Sequence, residues 1–243
     1  MNMYSGQILL GRENELFRAG FCLIKATLPG LLERSNMLHP SESMYFNTLK
    51  YDRRKTSYLL GRIAAKNAVL QQINQEVAPN SFSVTYGVFQ FPVVKHLPSN
   101  NIQVSISHCD QIGFAVGFPE EHPMGIDIEK IDADKIEAMK SMICAEEFDK
   151  INTLPVSILI GSTLIWTIKE ALSKVLRTGL MIDFKILEIG ELKKEEESYT
   201  STFKHFSQYK AVSYHVGDYI YSLVLPKNTS CDLVQFHNIL RTL

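Results

Sequence analysis

Two short segments constrain this chain more than the rest of it. One is Gly125-Ile126-Asp127-Ile128-Glu129-Lys130; the other is Trp166-Thr167-Ile168-Lys169-Glu170-Ala171-Leu172-Ser173-Lys174. The first reads as a strand. Side chains alternate faces along a strand, so Asp127 and Glu129 project to the same side. The second reads as a helix, in which Trp166, Glu170 and Lys174 recur at steps of four and share a face. If the helix packs on the strand, three carboxylates and a lysine converge. Two unit charges about 4 Å apart interact by ~4 kcal/mol at an effective dielectric near 20. Three carboxylates therefore repel one another unless a cation sits among them. A few carboxylates together with phosphate oxygens is how Mg²⁺ is usually held. The two segments predict a Mg²⁺–phosphate site.

Composition narrows the surroundings of that site. A chain of 243 residues has room for one large domain or two small ones. Hydrophobic residues at 45% and charged residues at 21% are ordinary for a soluble globular protein. A net charge of −1 lacks the basic excess of a general nucleic-acid binder. Cys22, Cys109, Cys144 and Cys231 form no C-x-x-C pair and suggest no disulfide framework, so reduced thiols in a cytoplasm are expected. The start of the chain is not a basic stretch followed by an apolar core, and no signal peptide is expected. The apolar run over residues 154–168 is too short to span a membrane and contains Pro155 and Gly161.

Along the chain, residues 21–28 read as a strand, 41–49 as a short helix and 54–73 as a longer helix with an apolar stripe. Residues 81–94 read as strand interrupted near Pro92. Residues 102–107 and 114–118 form a hairpin. After the carboxylate strand come helices over 133–142 and 145–153, then the Trp166 helix, closing near Gly179. Residues 211–215 and 219–225 flank a tight turn at Val216-Gly217-Asp218. The charged stretch 193–198 reads as a solvated loop. Helices and antiparallel hairpins mix in each part, which points to an α+β fold. A soft boundary at 120–123 divides the chain into 1–122 and 123–243.

The residues also match a known pattern. Gly-Ile-Asp-x-Glu, followed some forty residues later by Trp-Thr-x-Lys-Glu-Ala-x-x-Lys, resembles the 4′-phosphopantetheinyl transferases of the surfactin-synthetase-activating type. Ser105-Ile106-Ser107-His108 is similar to the family's Ser-His strand end, and Gly61-Arg62-Ile63-Ala64-Ala65 to its Gly-Arg-x-Ala-Ala helix. Residues 87–92 are similar to a degraded Gly-x-x-Gly-Lys-Pro turn. The matches cover roughly residues 53–174. The resemblance implies two similar α+β halves in one chain, related by a pseudo-twofold axis. It implies transfer of phosphopantetheine from coenzyme A to a serine of an apo acyl or peptidyl carrier protein, leaving 3′,5′-ADP. It also implies a monomer, with Mg²⁺ as cofactor; Mn²⁺ suits the same oxygen ligands.

Under that resemblance Asp127 and Glu129 are metal ligands. Glu170 is a third ligand, the base for the incoming serine, or both. Lys174 faces the phosphates and stabilises the departing 3′,5′-ADP. Lys169 lies near the site. His108 meets a phosphate of coenzyme A. Arg53, Arg54 and Arg62, with Lys55, form a basic cluster suited to the 3′-phosphate or to an acidic carrier surface. Trp166 is expected to pack the helix base. Met139, Met142, Ile143 and Phe148 are candidates for an apolar docking rim.

The chain departs from the family pattern in places. Gln90-Phe91 stands where the family has Gly-Lys before proline, removing a cation. Ser-His-Ser-Gly becomes Ser107-His108-Cys109-Asp110. Two other readings therefore stay open. One is a non-catalytic relative that binds coenzyme A or a carrier. The other is an unrelated Mg²⁺-dependent nucleotide hydrolase, although no G-x-x-x-x-G-K-[ST] loop is present.

Overall fold

The chain opens on a hairpin whose first strand, β1 (Asn2–Arg12), turns Ile8 and Leu10 inward and Gln7 and Leu9 outward. Its partner β2 (Glu15–Lys25) pairs along its whole length, Asn2 opposite Lys25 and Arg12 opposite Glu15. Then come α1 (Leu28–Leu32), α2 (Pro40–Thr48), α3 (Asp52–Gln72), β3 (Ser83–Tyr86), β4 (Pro92–Lys95), β5 (Ile102–Cys109) and β6 (Ile112–Pro119). The rest comprises β7 (Gly125–Lys130), α4 (Ile136–Ser141), α5 (Ala145–Asn152), α6 (Ile158–Val175), β8 (Ile189–Lys194), β9 (Tyr199–Phe203), β10 (Tyr209–Val216), β11 (Tyr219–Pro226), β12 (Ser230–Cys231) and α7 (Val234–Leu240). This computed structural model describes residues 1–73, 76–98 and 101–243. Among them, every strand pair is antiparallel and no helix is long and apolar enough to cross a membrane. None of the four cysteines is in a disulfide.

The fold separates into two units, Met1–Pro123 with Ser230–Leu243, and Met124–Thr229. In the first, the sheet runs β12-β1-β2-β6-β5 and α3 lies across it, setting Leu60, Ile63 and Ala64 against Cys22, Ile24 and Ala115. The expected division at 122/123 gave the whole C-terminal section to the second half. The last residues instead join the first unit. Cys231 of β12 pairs with Leu10 of β1, and Phe236 of α7 meets the rings of Phe21 and Phe114 at 5.5 and 5.4 Å.

In the second unit the sheet runs β7-β11-β10-β9-β8, with α6 across β7 and β11. Leu164, Ile168 and Leu172 of α6 meet Ile189, Ala211, Ile220 and Val224. The helix sits close to β7 because Gly125 lacks a side chain: a Cβ there would overlap the Ala171 carbonyl oxygen. Gly125→Ala is therefore expected to push α6 off the strand. Overpacking of this kind costs about 1–3 kcal/mol, and the loss is read by equilibrium urea unfolding.

Each unit contains a buried glutamate at the third position of a short helix. Glu42 of α2 accepts from the His39 and Val84 backbone amides at 2.8 Å each and pairs with Lys66 Nζ at 2.9 Å. Glu147 of α5 accepts from the Cys144 and Ile189 amides at 2.9 Å each and pairs with Lys169 Nζ at 2.7 Å. In both cases one carboxylate caps a helix, fixes a strand start and neutralises a lysine on the long helix of its unit.

Residues 81–94 form a hairpin rather than one interrupted strand. Gly87 N–H donates to Phe91 O at 2.8 Å, and Gln90 takes a φ of 61°. That left-handed value explains why glycine suits the position. Asp110, another residue standing where the family has glycine, has φ 52° in the β5–β6 turn.

Candidate active site

The strand β7 carries the carboxylates at the edge of its sheet, with Asp127 opposite Ser222 and Glu129 opposite Ile220 of β11. Asp127 is buried at 4% exposure. Lys174, at the last turn of α6, donates to Asp127 Oδ1 at 2.7 Å and to Ile126 O at 2.9 Å. Lys135 Nζ lies 3.1 Å from Glu129 Oε2. The Trp166 ring meets Phe184 at 5.1 Å.

Glu170 is pushed up to about 7 by burial and by the charges of Asp127 and Glu129, against the pull of Lys174. Glu129 is raised by burial and by Asp127, partly offset by Lys135 and Trp166. Three carboxylates thus feel one another across the contact between β7 and α6. They are not drawn tight: among the described residues, the group with three donors within 4.8 Å of one another is Cys144, Glu146 and Glu188. That second group sits at the N-terminus of α5, whose dipole disfavours a cation, and Lys204 already holds Glu188 at 2.9 Å.

The raised carboxyl gives a pH test with a definite sign. Between its unperturbed value of 4.5 and about 7, Glu170 binds its proton in the folded chain more than in the unfolded one. The metal-free fold therefore loses stability as pH rises across that interval, by at most on the order of 3 kcal/mol. Thermal melts in EDTA are expected to show Tm falling from pH 5 to pH 8. Added Mg²⁺ is expected to raise Tm more at pH 8 than at pH 5.

Two of the expected coenzyme A contacts are engaged elsewhere. Lys169 is fully buried, held by Glu147 and by the Met142 carbonyl at 3.0 Å. Its neighbour Glu170 faces the carboxylates because adjacent helix residues diverge by about 100°. Arg62 is 4% exposed, its guanidinium between the rings of Tyr58 and Tyr86 at 4.8 and 4.7 Å and 3.7 Å from Glu42. Arg53 and Arg54 are exposed at the start of α3, and His108 is exposed near the end of β5. These four belong to the first unit and the carboxylates to the second. Of the expected docking rim, Met139 and Ile143 are buried and Phe148 packs on the core; Met142 is exposed at 39%.

The comparisons fall on the same stretch. Residues 123–224 match the family model described as the 4′-phosphopantetheinyl transferase superfamily. The holo-[acyl-carrier-protein] synthase of Mycoplasma mycoides subsp. mycoides SC is 36% identical over 72 residues, which is 30% of this chain and 64% of that protein. The holo-[acyl-carrier-protein] synthase of Mycoplasma capricolum subsp. capricolum is 33% identical over 81 residues, 33% of this chain and 70% of that protein. The chain belongs to the 4′-phosphopantetheinyl transferase superfamily. It spans just under two thirds of the first relative's length and somewhat more of the second's.

Superfamily members generally use Mg²⁺ with coenzyme A, and the residues present fit that ion. All three candidate ligands are carboxylates, the hard oxygen donors that Mg²⁺ takes. Burial raises Glu170 most and the charges of Asp127 and Glu129 add to it; a divalent cation would relieve that second part. Sequence reasoning missed Lys135, which carries no local signal because it acts on Glu129 from outside its strand. It also missed Glu147 as the partner of Lys169, since the helix cap before it is a cysteine.

Proposed function

We propose that the chain is a Mg²⁺-dependent 4′-phosphopantetheinyl transferase of the surfactin-synthetase-activating type. It moves phosphopantetheine from coenzyme A to a serine of an apo acyl or peptidyl carrier protein. The observation that carries this reading is the convergence of Asp127, Glu129 and Glu170, where burial first and the two strand carboxylates second push Glu170 up to about 7, inside the stretch matched by the superfamily. The reading includes a monomer working in a cytoplasm.

The two-half architecture is part of the same proposal. Glu42 with Lys66 and Val84, and Glu147 with Lys169 and Ile189, are the same device built twice. Gly20 abuts the Ala68 carbonyl as Gly125 abuts that of Ala171. The first relative is less than half as long as this chain, as expected of a one-half protein.

In the reaction, the carrier serine oxygen bonds to the phosphorus nearest pantetheine, and the bond from that phosphorus to the ADP oxygen breaks. The electron pair leaves with 3′,5′-ADP. Bound at Asp127, Glu129 and Glu170, Mg²⁺ would supply neutralisation of the pyrophosphate charge. Glu170, with a carboxyl poised near 7, is suited to accept the serine proton directly or through one water. Lys174 holds Asp127 in place and offers a point charge to the leaving phosphate. Arg53, Arg54 and His108 are the exposed groups proposed for coenzyme A.

Intact-mass spectrometry of an apo carrier incubated with the chain, coenzyme A and Mg²⁺ tests this. The expected result is a gain of one phosphopantetheine that EDTA abolishes. No gain on acyl or peptidyl carriers, with coenzyme A still bound, would leave a non-catalytic binder.

A further inference from the structure

One side chain grips the Glu129 carboxylate from outside its strand. The Trp166 ring, from α6, is set against the buried Phe184 ring and takes no part in that grip. From just ahead of α4 comes Lys135, on a side chain 48% exposed. The lysine ends a flexible four-carbon stem, and an exposed pair of this type is weak.

The carboxylates must also move to share an ion. Oxygen ligands of one Mg²⁺ lie at about 2.1 Å from it, so no two of them exceed about 4.2 Å apart. Asp127, Glu129 and Glu170 are not among the described groups that gather three donors within 4.8 Å. Asp127 is tied to Lys174 and Glu129 to Lys135. An ammonium on each strand carboxylate occupies the charge that a divalent cation would take.

We propose that metal loading at this site is an exchange on Glu129. The Lys135 ammonium leaves the carboxylate, and Glu129 closes toward Asp127 and Glu170. Lys135 is then a placeholder cation. This rests on the reading of the three carboxylates as metal ligands.

The placeholder role predicts a definite sign. Mn²⁺ is titrated into the chain alone, without coenzyme A. Binding is followed by electron paramagnetic resonance of the free ion and by quenching of Trp166, the single tryptophan. Lys135→Met is expected to tighten Mn²⁺ binding, by up to about fivefold. Lys130→Met removes the same charge from the other strand face and is expected to stay close to wild type. Lys135→Met binding no tighter than Lys130→Met overturns the exchange. A wild-type chain that takes up no Mn²⁺ overturns the ligand reading itself, a distinct outcome.

Discussion

Glu170→Gln is expected to lower phosphopantetheine transfer by about a hundredfold or more while coenzyme A still binds. A positioned general base contributes about 10²–10⁴ in rate, and an amide neither accepts the serine proton nor serves as an anionic ligand. The same change relieves the crowding that pushes Glu170 up to about 7. Metal-free Glu170→Gln is therefore expected to be more stable than wild type at pH 8, and its Tm is expected to vary less between pH 5 and pH 8. The pairing is diagnostic: activity falls as stability rises. Carrier mass shifts read the first and thermal melts in EDTA the second. Near-normal turnover would remove Glu170 from the chemistry.

Glu147→Ala is expected to cost about 3–5 kcal/mol, the usual penalty for breaking a buried ion pair from one side. Lys169 would be left fully buried without its carboxylate, and the Cys144 and Ile189 amides would lose their acceptor. Lys169→Met is expected to cost less, because Glu147 keeps both backbone donors. Adding Lys169→Met to Glu147→Ala is expected to recover part of the loss. Equilibrium urea unfolding of the three variants reads all of this. A Glu147→Ala cost under about 1 kcal/mol would contradict a buried, paired Lys169 and return that lysine to the candidates for phosphate contact.

The parts legible in the sequence were those whose local pattern agrees with their tertiary use. The carboxylate strand is β7, and the basic-to-apolar helix expected at 54–73 is α3, Asp52–Gln72. The Trp166 helix begins earlier, at Ile158, where the Ser157 hydroxyl accepts from Ile160 N–H at 3.3 Å. The apolar run there hides its periodicity because the helix is buried on most faces. It ends at Val175, before Gly179, with Arg177 in the left-handed region at φ 57°. Two strands were illegible for opposite reasons. Strand β1, with Gly6 and Gly11, has weak strand propensity and owes its form to full-length pairing with β2. Strand β8 carries Lys193 and Lys194, which read as loop, yet charged side chains are how an edge strand resists further pairing. At the site, residue types and spacing exposed the carboxylates. The cations that hold them, Lys135 and Lys174, come from contacts between elements, and no spacing encodes those.

The decisive measurement is a product balance in one reaction of the chain, coenzyme A, Mg²⁺ and an apo carrier: carrier-bound phosphopantetheine by intact mass against free 3′,5′-ADP by chromatography. Transfer requires the two to rise together, one for one, and to stop together on adding EDTA. 3′,5′-ADP formed without a matching gain on the carrier would contradict transfer and make the carboxylate site that of a hydrolase.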